Sequence, residues 1–343
     1  MSTMALAIGA VQRGVVPDGM VRLGIAGLVG QSARRLAANG EPGDRAFAIE
    51  MSGHPIALHT EAANAQHYEV PAAFYDLVLG PQRKYSCCLY PTAFATLAEA
   101  EELALRQTTE HAGLADGQTI LELGCGWGSL TLWMARSFPN ARILAVSNSH
   151  AQRTHILALA ASSGLSNLEV TTADMNVFCT DHRFDRVVSV EMFEHMANWR
   201  LLLSRIRGWL KPDGRLFVHV FSHRNVAYKF DHADRNDWIA QHFFTGGLMP
   251  SRGLISQFAD LFALEDIWQW DGTHYARTAR DWLRNLDANR EEALQTLKPV
   301  YGGKAELWLQ RWRLFFLATE GLFGYGQGDH WGVSHYRLRP KCD

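Results

Sequence analysis

The stretch from Gln118 to Ser129 constrains this chain more than any other. A short apolar strand, Gln118–Leu123, runs without a break into Gly124-Cys125-Gly126-Trp127-Gly128-Ser129, and a helical pattern follows over Ser129–Ser137. Glycines at a strand-to-helix turn let backbone amides approach a ligand closely and leave a helix N-terminus facing it. The spacing is G-x-G-x-G, not the G-x-G-x-x-G expected where a dinucleotide pyrophosphate lies on the loop. Glu122, just ahead of the glycines, repels a phosphate and suits an ammonium group.

The surroundings of that loop extend the pattern. Strands are expected at Ala141–Ser147, Leu168–Thr172, Phe184–Val190 and Arg215–Phe221. Helices are expected at Ala151–Ser163 and at Trp199–Leu210, the latter closed by Pro212-Asp213-Gly214. This alternation from Glu99 to His219 predicts an α/β fold, a mostly parallel Rossmann-like sheet with helices on both faces. Ahead of it, Val16–Asn39 reads as one helix, with Pro17 suited to its first position, Gly40 to its end and Arg22, Arg34 and Arg35 on a basic side. Such a helix packs on the core or caps a pocket, with a membrane-surface role as the alternative. Gly40–Gly53 reads as a loop and short strand, and Ala62–Leu79 as helical. Beyond Phe221, the aromatic segments Phe243–Ser251, Thr273–Leu283 and Trp308–Tyr325 read as mainly helical. The expected organisation is an N-terminal helical region and lid over 1–98, a ligand-binding core over 99–222, and a largely helical cover over 223–343 integrated with the core.

Composition removes several classes of function. The net charge of −2 and the lack of any block of like charges argue against nucleic acid. Five scattered cysteines (Cys87, Cys88, Cys125, Cys179, Cys342) without a CxxC pair argue for reduced thiols in the cytoplasm rather than disulfides or zinc. Fifteen histidines without an HExxH pair give no metal site. The apolar stretch Met4–Val11 is too short for an export signal, and no run of apolar residues is long enough to span a membrane. Peripheral membrane contact through the basic helix and a homodimer both stay open.

The run Leu121–Ser129 resembles the first motif of class I S-adenosylmethionine-dependent methyltransferases. Generic members carry an acidic residue after the second strand for the ribose hydroxyls. Here Val146-Ser147-Asn148-Ser149 and Gln152 stand in its place, and neutral polar groups can serve the same hydroxyls. Asp174, after the third strand, would lie near the adenine edge. Adding Tyr85-Ser86-Cys87-Cys88, Glu191-Met192-Phe193-Glu194-His195 and Val218-His219-Val220-Phe221, the chain from about Asn64 onward resembles the cyclopropane fatty-acyl-phospholipid synthase superfamily. Within it, Phe243–Gly247, Gly272–Thr278 and Leu322–Tyr325 are similar to plant coclaurine-type N-methyltransferases. The resemblance implies S-adenosyl-L-methionine as cofactor, lined by Tyr85, Ser86, Gly124, Gly126, Ser149 and Gln152, beside Glu122 and Asp174.

Glu191, Glu194 and His195 follow the fourth strand at the carboxyl edge of the sheet, where open α/β sheets bind ligands. An alkyl amine is mostly protonated at neutral pH, and only its lone pair can attack a methyl group. Carboxylates hold the cation in line while a base takes its proton. The resemblance adds a contrast, because cyclopropane synthases have glycine where this chain has Glu191. There a bound bicarbonate serves as base, held by positions matching Cys87, Glu194, His219, Phe221 and Tyr275. Cys87 is a structural thiol by default, since methyl transfer needs no covalent enzyme intermediate. The aromatic cover, Phe315, Phe316, Phe323, Tyr325 and Trp331, could wall a pocket for a cationic amine or pack as ordinary core. Three functions follow: N-methylation of a small amine, methylene or methyl transfer to an unsaturated acyl chain, and non-catalytic binding. The last has no use for Glu191, Glu194 and His195 together.

Overall fold

A computed structural model describes residues 3–38, 43–58, 70–231, 233 and 237–341. The predicted core strands form as β1 (Thr119–Leu123), β2 (Arg142–Ser147), β3 (Leu168–Thr172), β4 (Phe184–Val190) and β5 (Leu210–His223), all parallel. Their apolar residues point alternately to two faces, as a sheet buried on both sides requires. Leu121, Leu123, Val187, Leu216, Val218 and Val220 join one cluster, whereas Ile120, Val188 and Phe217 join another.

The helices follow from their own sequence. α1 (Thr3–Gln12) and α2 (Asp18–Ala38) lead the chain, followed by α3 (Asp44–Met51) and α4 (Ala72–Val78). α5 (Leu97–Ala112) opens on a capping box in which Thr96 and Glu99 satisfy each other's backbone amides, and ends on left-handed Gly113. α6 (Ser129–Ser137) and α7 (His150–Ser162) flank β2 in sequence. α8 (Trp199–Trp209) buries Trp199, Leu202, Leu203, Ile206 and Trp209, a helical stripe on one face. A five-residue helix, α9 (Trp238–His242), and a two-stranded ribbon of β6 (Tyr228–Lys229) with β7 (Leu248–Met249) follow β5. The C-terminal part contains β8 (Phe262–Asp271), α10 (Gly272–Ala288), α11 (Arg290–Tyr301), α12 (Ala305–Gly324) and β9 (Trp331–Pro340).

Two expectations are corrected and one is extended. First, the sheet has seven strands in the order β3-β2-β1-β4-β5-β9-β8, because β9 inserts antiparallel between β5 and β8. The cover is largely helical, as expected, and its two strands complete the sheet. β8 is the edge, and its outer charges Glu265 and Asp266 pair with Arg215 and Arg337, which blunts that edge against further pairing. Second, Asp44–Met51 is a helix, not a strand, with Phe47, Ala48 and Met51 on its buried side; residues 40–42 lie outside the described residues. Third, Phe243–Ser251 is not helical. Gly246 takes a left-handed backbone and β7 follows at once. In the segment Ala62–Leu79, residues 62–69 lie outside the described residues and Ala72–Val78 is helical.

α2 packs on α12, and its buried apolar side chains are Val21, Val29, Ala33 and Leu36. Its basic side is partly tied down, since Arg22 pairs with Glu320 at 3.0 Å. No helix among the described residues is long and apolar enough to cross a membrane.

Candidate active site

The carboxyl ends of β1, β2 and β4 open into a cavity beside the point where strand order reverses between β1 and β4. Tyr85, Ser86, Glu122, Gly124, Gly126, Gln152, Asp174, Glu191, His195 and Tyr275 line it, with Phe221. Ser149, Cys87, Glu194, His219, Phe323 and Trp331 are not among its lining residues.

The glycine loop is built as its spacing requires. Gly124, Gly126 and Gly128 all have positive φ, at 82°, 51° and 85°. A Cβ on Gly124 would lie 2.7 Å from the Met192 side chain, whereas a Cβ on Gly126 would meet nothing within 4 Å. Gly126 thus keeps its bare backbone toward open cavity space, which is what a ligand lying on the loop needs. Glu122 is buried on β1 and accepts a hydrogen bond from the Thr131 hydroxyl at 2.5 Å; burial pushes its carboxyl up to about 7. At the end of β2, Gln152 accepts from the Ser147 hydroxyl at 2.6 Å. Ser149 caps α7, its hydroxyl accepting from the Gln152 backbone amide at 3.3 Å, and so fixes where Gln152 sits. Asp174 closes an Asx turn on the Asn176 amide.

The reacting end is organised around Glu191, whose backbone is left-handed at φ 47°. A residue with a Cβ is uncommon there. Its carboxylate is held on three sides. Oε1 accepts from the Cys87 amide at 2.9 Å and faces His219 Nε2 at 3.2 Å, while Oε2 accepts from the Tyr275 hydroxyl at 2.7 Å. Burial pushes the Glu191 carboxyl above the ordinary range; Lys84, the Cys87 amide, the Tyr275 hydroxyl and His195 pull it back. His195 lies across the cavity wall with its ring stacked on Phe244 at 5.0 Å.

Glu194 is not among the residues lining the cavity. It is fully buried, and Oε1 accepts from the Phe221 amide of β5 at 2.7 Å. Burial, and then the neighbouring Glu191 charge, raise its carboxyl strongly. Cys87 presents its amide to Glu191 and turns its Sγ to the Cys88 carbonyl, and burial raises its thiol, which disfavours the thiolate. Phe323 stacks on Tyr275 at 4.3 Å, and Trp331 donates from Nε1 to the Tyr228 hydroxyl.

The sequence reading missed Lys84. It is buried, and its Nζ donates to the Ser86 hydroxyl at 2.5 Å and the Cys87 carbonyl at 2.7 Å. Its loop is pinned by Glu101 of α5, which accepts from the amides of Gly80, Gln82 and Lys84. A lysine next to a tyrosine carries no mark in the sequence that it will be buried. His335 of β9 and His111 of α5 were also missed: they continue the line from Glu191 through His219, at 2.8 Å per step.

A profile described as Mycolic acid cyclopropane synthetase matches residues 57–331. The chain belongs to that family. Among curated relatives, it is 36% identical over 295 residues to (S)-coclaurine N-methyltransferase of Thalictrum flavum subsp. glaucum, covering 83% of this chain and 81% of the relative. The enzyme of the same name from Papaver somniferum is 33% identical, with 85% and 84% covered. A crystal structure of coclaurine N-methyltransferase bound to N-methylheliamine and SAH superimposes with a TM-score of 0.93 at 31% identity. That match covers 98% of this chain and 100% of the other.

Proposed function

We propose that this member of the family transfers a methyl group from S-adenosylmethionine to the nitrogen of a small amine carrying an aromatic ring system. The chain is an S-adenosylmethionine-dependent methyltransferase, in keeping with its N-methyltransferase relatives and with the SAH-bound structure it overlays. The glycine loop fits the cofactor on this structure's own terms: Gly126 faces open space, and the Glu122 carboxyl and Gln152 lie on the same wall. Tyr85, Ser86, Gly124, Gly126, Gln152, Glu122 and Asp174 would hold it. When bound, the cofactor supplies an electrophilic methyl on a sulfonium.

The observation that carries the reading is the Glu191 carboxylate, already seated on the Cys87 amide, His219 and the Tyr275 hydroxyl at the cavity wall. A carboxylate so placed attracts an ammonium substrate and takes its proton, freeing the lone pair for attack. His195 lies beside it, and Phe221, Phe244 and Phe315 give the amine's rings an apolar wall. In the lipid-modifying reading a bicarbonate would need the same donors, and Glu191 has taken them. A cytoplasmic amine-modifying enzyme, with any lipid contact or homodimer incidental, is the form we assign.

The test is methyl transfer from labelled cofactor to heliamine, the unmethylated parent of N-methylheliamine, and to vesicles of unsaturated phospholipid, each with and without bicarbonate. Turnover on the amine, indifferent to bicarbonate, is expected. Bicarbonate-stimulated turnover on the lipid alone would overturn the assignment.

A further inference from the structure

Behind Glu191 the structure contains a continuous chain of imidazoles that the transfer chemistry does not itself require. His219 Nε2 faces Glu191 Oε1 at 3.2 Å, His219 Nδ1 faces His335 Nε2 at 2.8 Å, and His335 Nδ1 faces His111 Nδ1 at 2.8 Å. His219 and His335 are fully buried and lie opposite each other in the β5–β9 register. His111, on α5, is only partly buried and stacks on Trp268 of the edge strand at 3.9 Å between centroids. The line therefore runs from the cavity wall across one face of the sheet toward its edge strand.

All three rings are held toward their neutral form. Burial lowers His111 to about 4, with Arg337 adding to the effect, and burial puts His219 and His335 well below the ordinary imidazole value. A neutral imidazole donates from one nitrogen and accepts at the other, so each ring's tautomer fixes that of the next. An ionised Glu191 can only accept. The bond polarity must then run inward: His111 Nδ1–H to His335, His335 Nε2–H to His219, and His219 Nε2–H to Glu191.

We propose that His335 and His111 are positioning residues for the transfer, locking His219 in the tautomer whose Nε2–H stabilises the Glu191 carboxylate. This rests on Glu191 as the proton acceptor. Without a donor at its Nδ1, His219 can keep its own proton there and turn the Nε2 lone pair on Glu191 Oε1. That arrangement repels the carboxylate and favours its protonated form. The other ionisable groups facing Glu191 are Lys84 and Cys87 from the loop before α5, Tyr275 of α10, and Glu194 and His195 from the turn after β4. At the outer end, Arg337 of β9 and Asp266 of β8 face His111.

The test compares His335→Leu, His335→Gln and Glu191→Gln on heliamine across pH, with SAH binding and thermal melting as controls. His335→Leu should move the acid limb of the kcat profile upward by about one to two pH units, costing roughly tenfold near neutrality. SAH affinity should hold. His335→Gln, whose amide can donate to His219 Nδ1, should restore most of the wild-type profile. A merely structural role would lower melting in both variants and leave the acid limb in place; that result overturns the proposal. If Glu191→Gln is itself silent, the assignment of Glu191 fails instead. Should His335→Leu not fold, ¹⁵N NMR of wild type bound to SAH decides: a protonated His219 Nε2 supports the lock, and a protonated Nδ1 overturns it.

Discussion

Glu191 holds a left-handed backbone at φ 47° while its carboxylate accepts from the Cys87 amide and the Tyr275 hydroxyl. Non-glycine residues keep such a conformation only where their surroundings insist on it, at about 1–3 kcal/mol. Glycine at the matching place in cyclopropane synthases is therefore what the backbone prefers, and glutamate here is a chemical choice made against that preference. Glu191→Gln should lower kcat on the amine by roughly 10²–10⁴, the range of a positioned acid–base group. Because burial raises this carboxyl, wild-type activity should be present above its pKa and fall as pH drops through it, at a pH above the usual carboxylate range. Higher pH should recover part of the mutant's loss by delivering neutral amine. Glu191→Gly should melt no lower than wild type, yet be inactive until bicarbonate occupies the vacated donors; a pH–rate profile with and without that anion checks both. At Gly126, where a Cβ faces open cavity space, Gly126→Val should abolish SAH binding in a folded protein. Calorimetry showing wild-type affinity would refute that.

Among the elements, the Gly80–Ser86 loop is the one whose position the site depends on. It supplies Arg83, Lys84, Tyr85 and Ser86 to the cavity, and one side chain of α5, Glu101, gathers three of its amides. The packing is tight, since a Cβ on Gly80 would lie 2.4 Å from the Glu101 carboxylate. Glu101→Gln turns an amide NH₂ toward backbone N–H donors and leaves at least one of them unpaired. The expected loss is about 1–3 kcal/mol of stability, with weaker SAH binding, measured by urea denaturation and calorimetry. Unchanged stability with unchanged affinity would mean the loop is held by its other contacts.

For the molecule as a whole, the cover and the sheet meet at Gly272, where α10 begins. A Cβ there would stand 2.1 Å from the Phe323 carbonyl and 2.2 Å from the Trp331 carbonyl, both backbone atoms that cannot swing aside. α10, the end of α12 and the start of β9 are closed on one another at that point. Gly272→Ala should therefore cost about 1–3 kcal/mol or more, as overpacked interiors do. Turnover should fall with it, because Tyr275 stands on the first turn of α10 beneath the Glu191 carboxylate. A melting curve that does not move would show that the corner can open without loss.

Sequence alone determined the parallel core, because its signals are local. A buried strand reads as an apolar run, α8 as a stripe of every third or fourth residue, and the glycine loop as a spacing. Strands β3 and β4 and helix α6 fall at the expected residues. The composition of the reacting end, two carboxylates and a histidine after β4, was legible for the same reason. Only the tertiary structure decided how those groups divide. Glu191 lines the cavity from a left-handed backbone, whereas the Glu194 carboxylate, three residues on, accepts from the Phe221 amide. The strands β8 and β9 were hidden because they are mixed in polarity, and their pairing partners lie far away in sequence. The imidazole chain shares that origin. His219 and His335 meet only through the β5–β9 register, and a residue 116 positions away leaves no trace in the local pattern around either histidine.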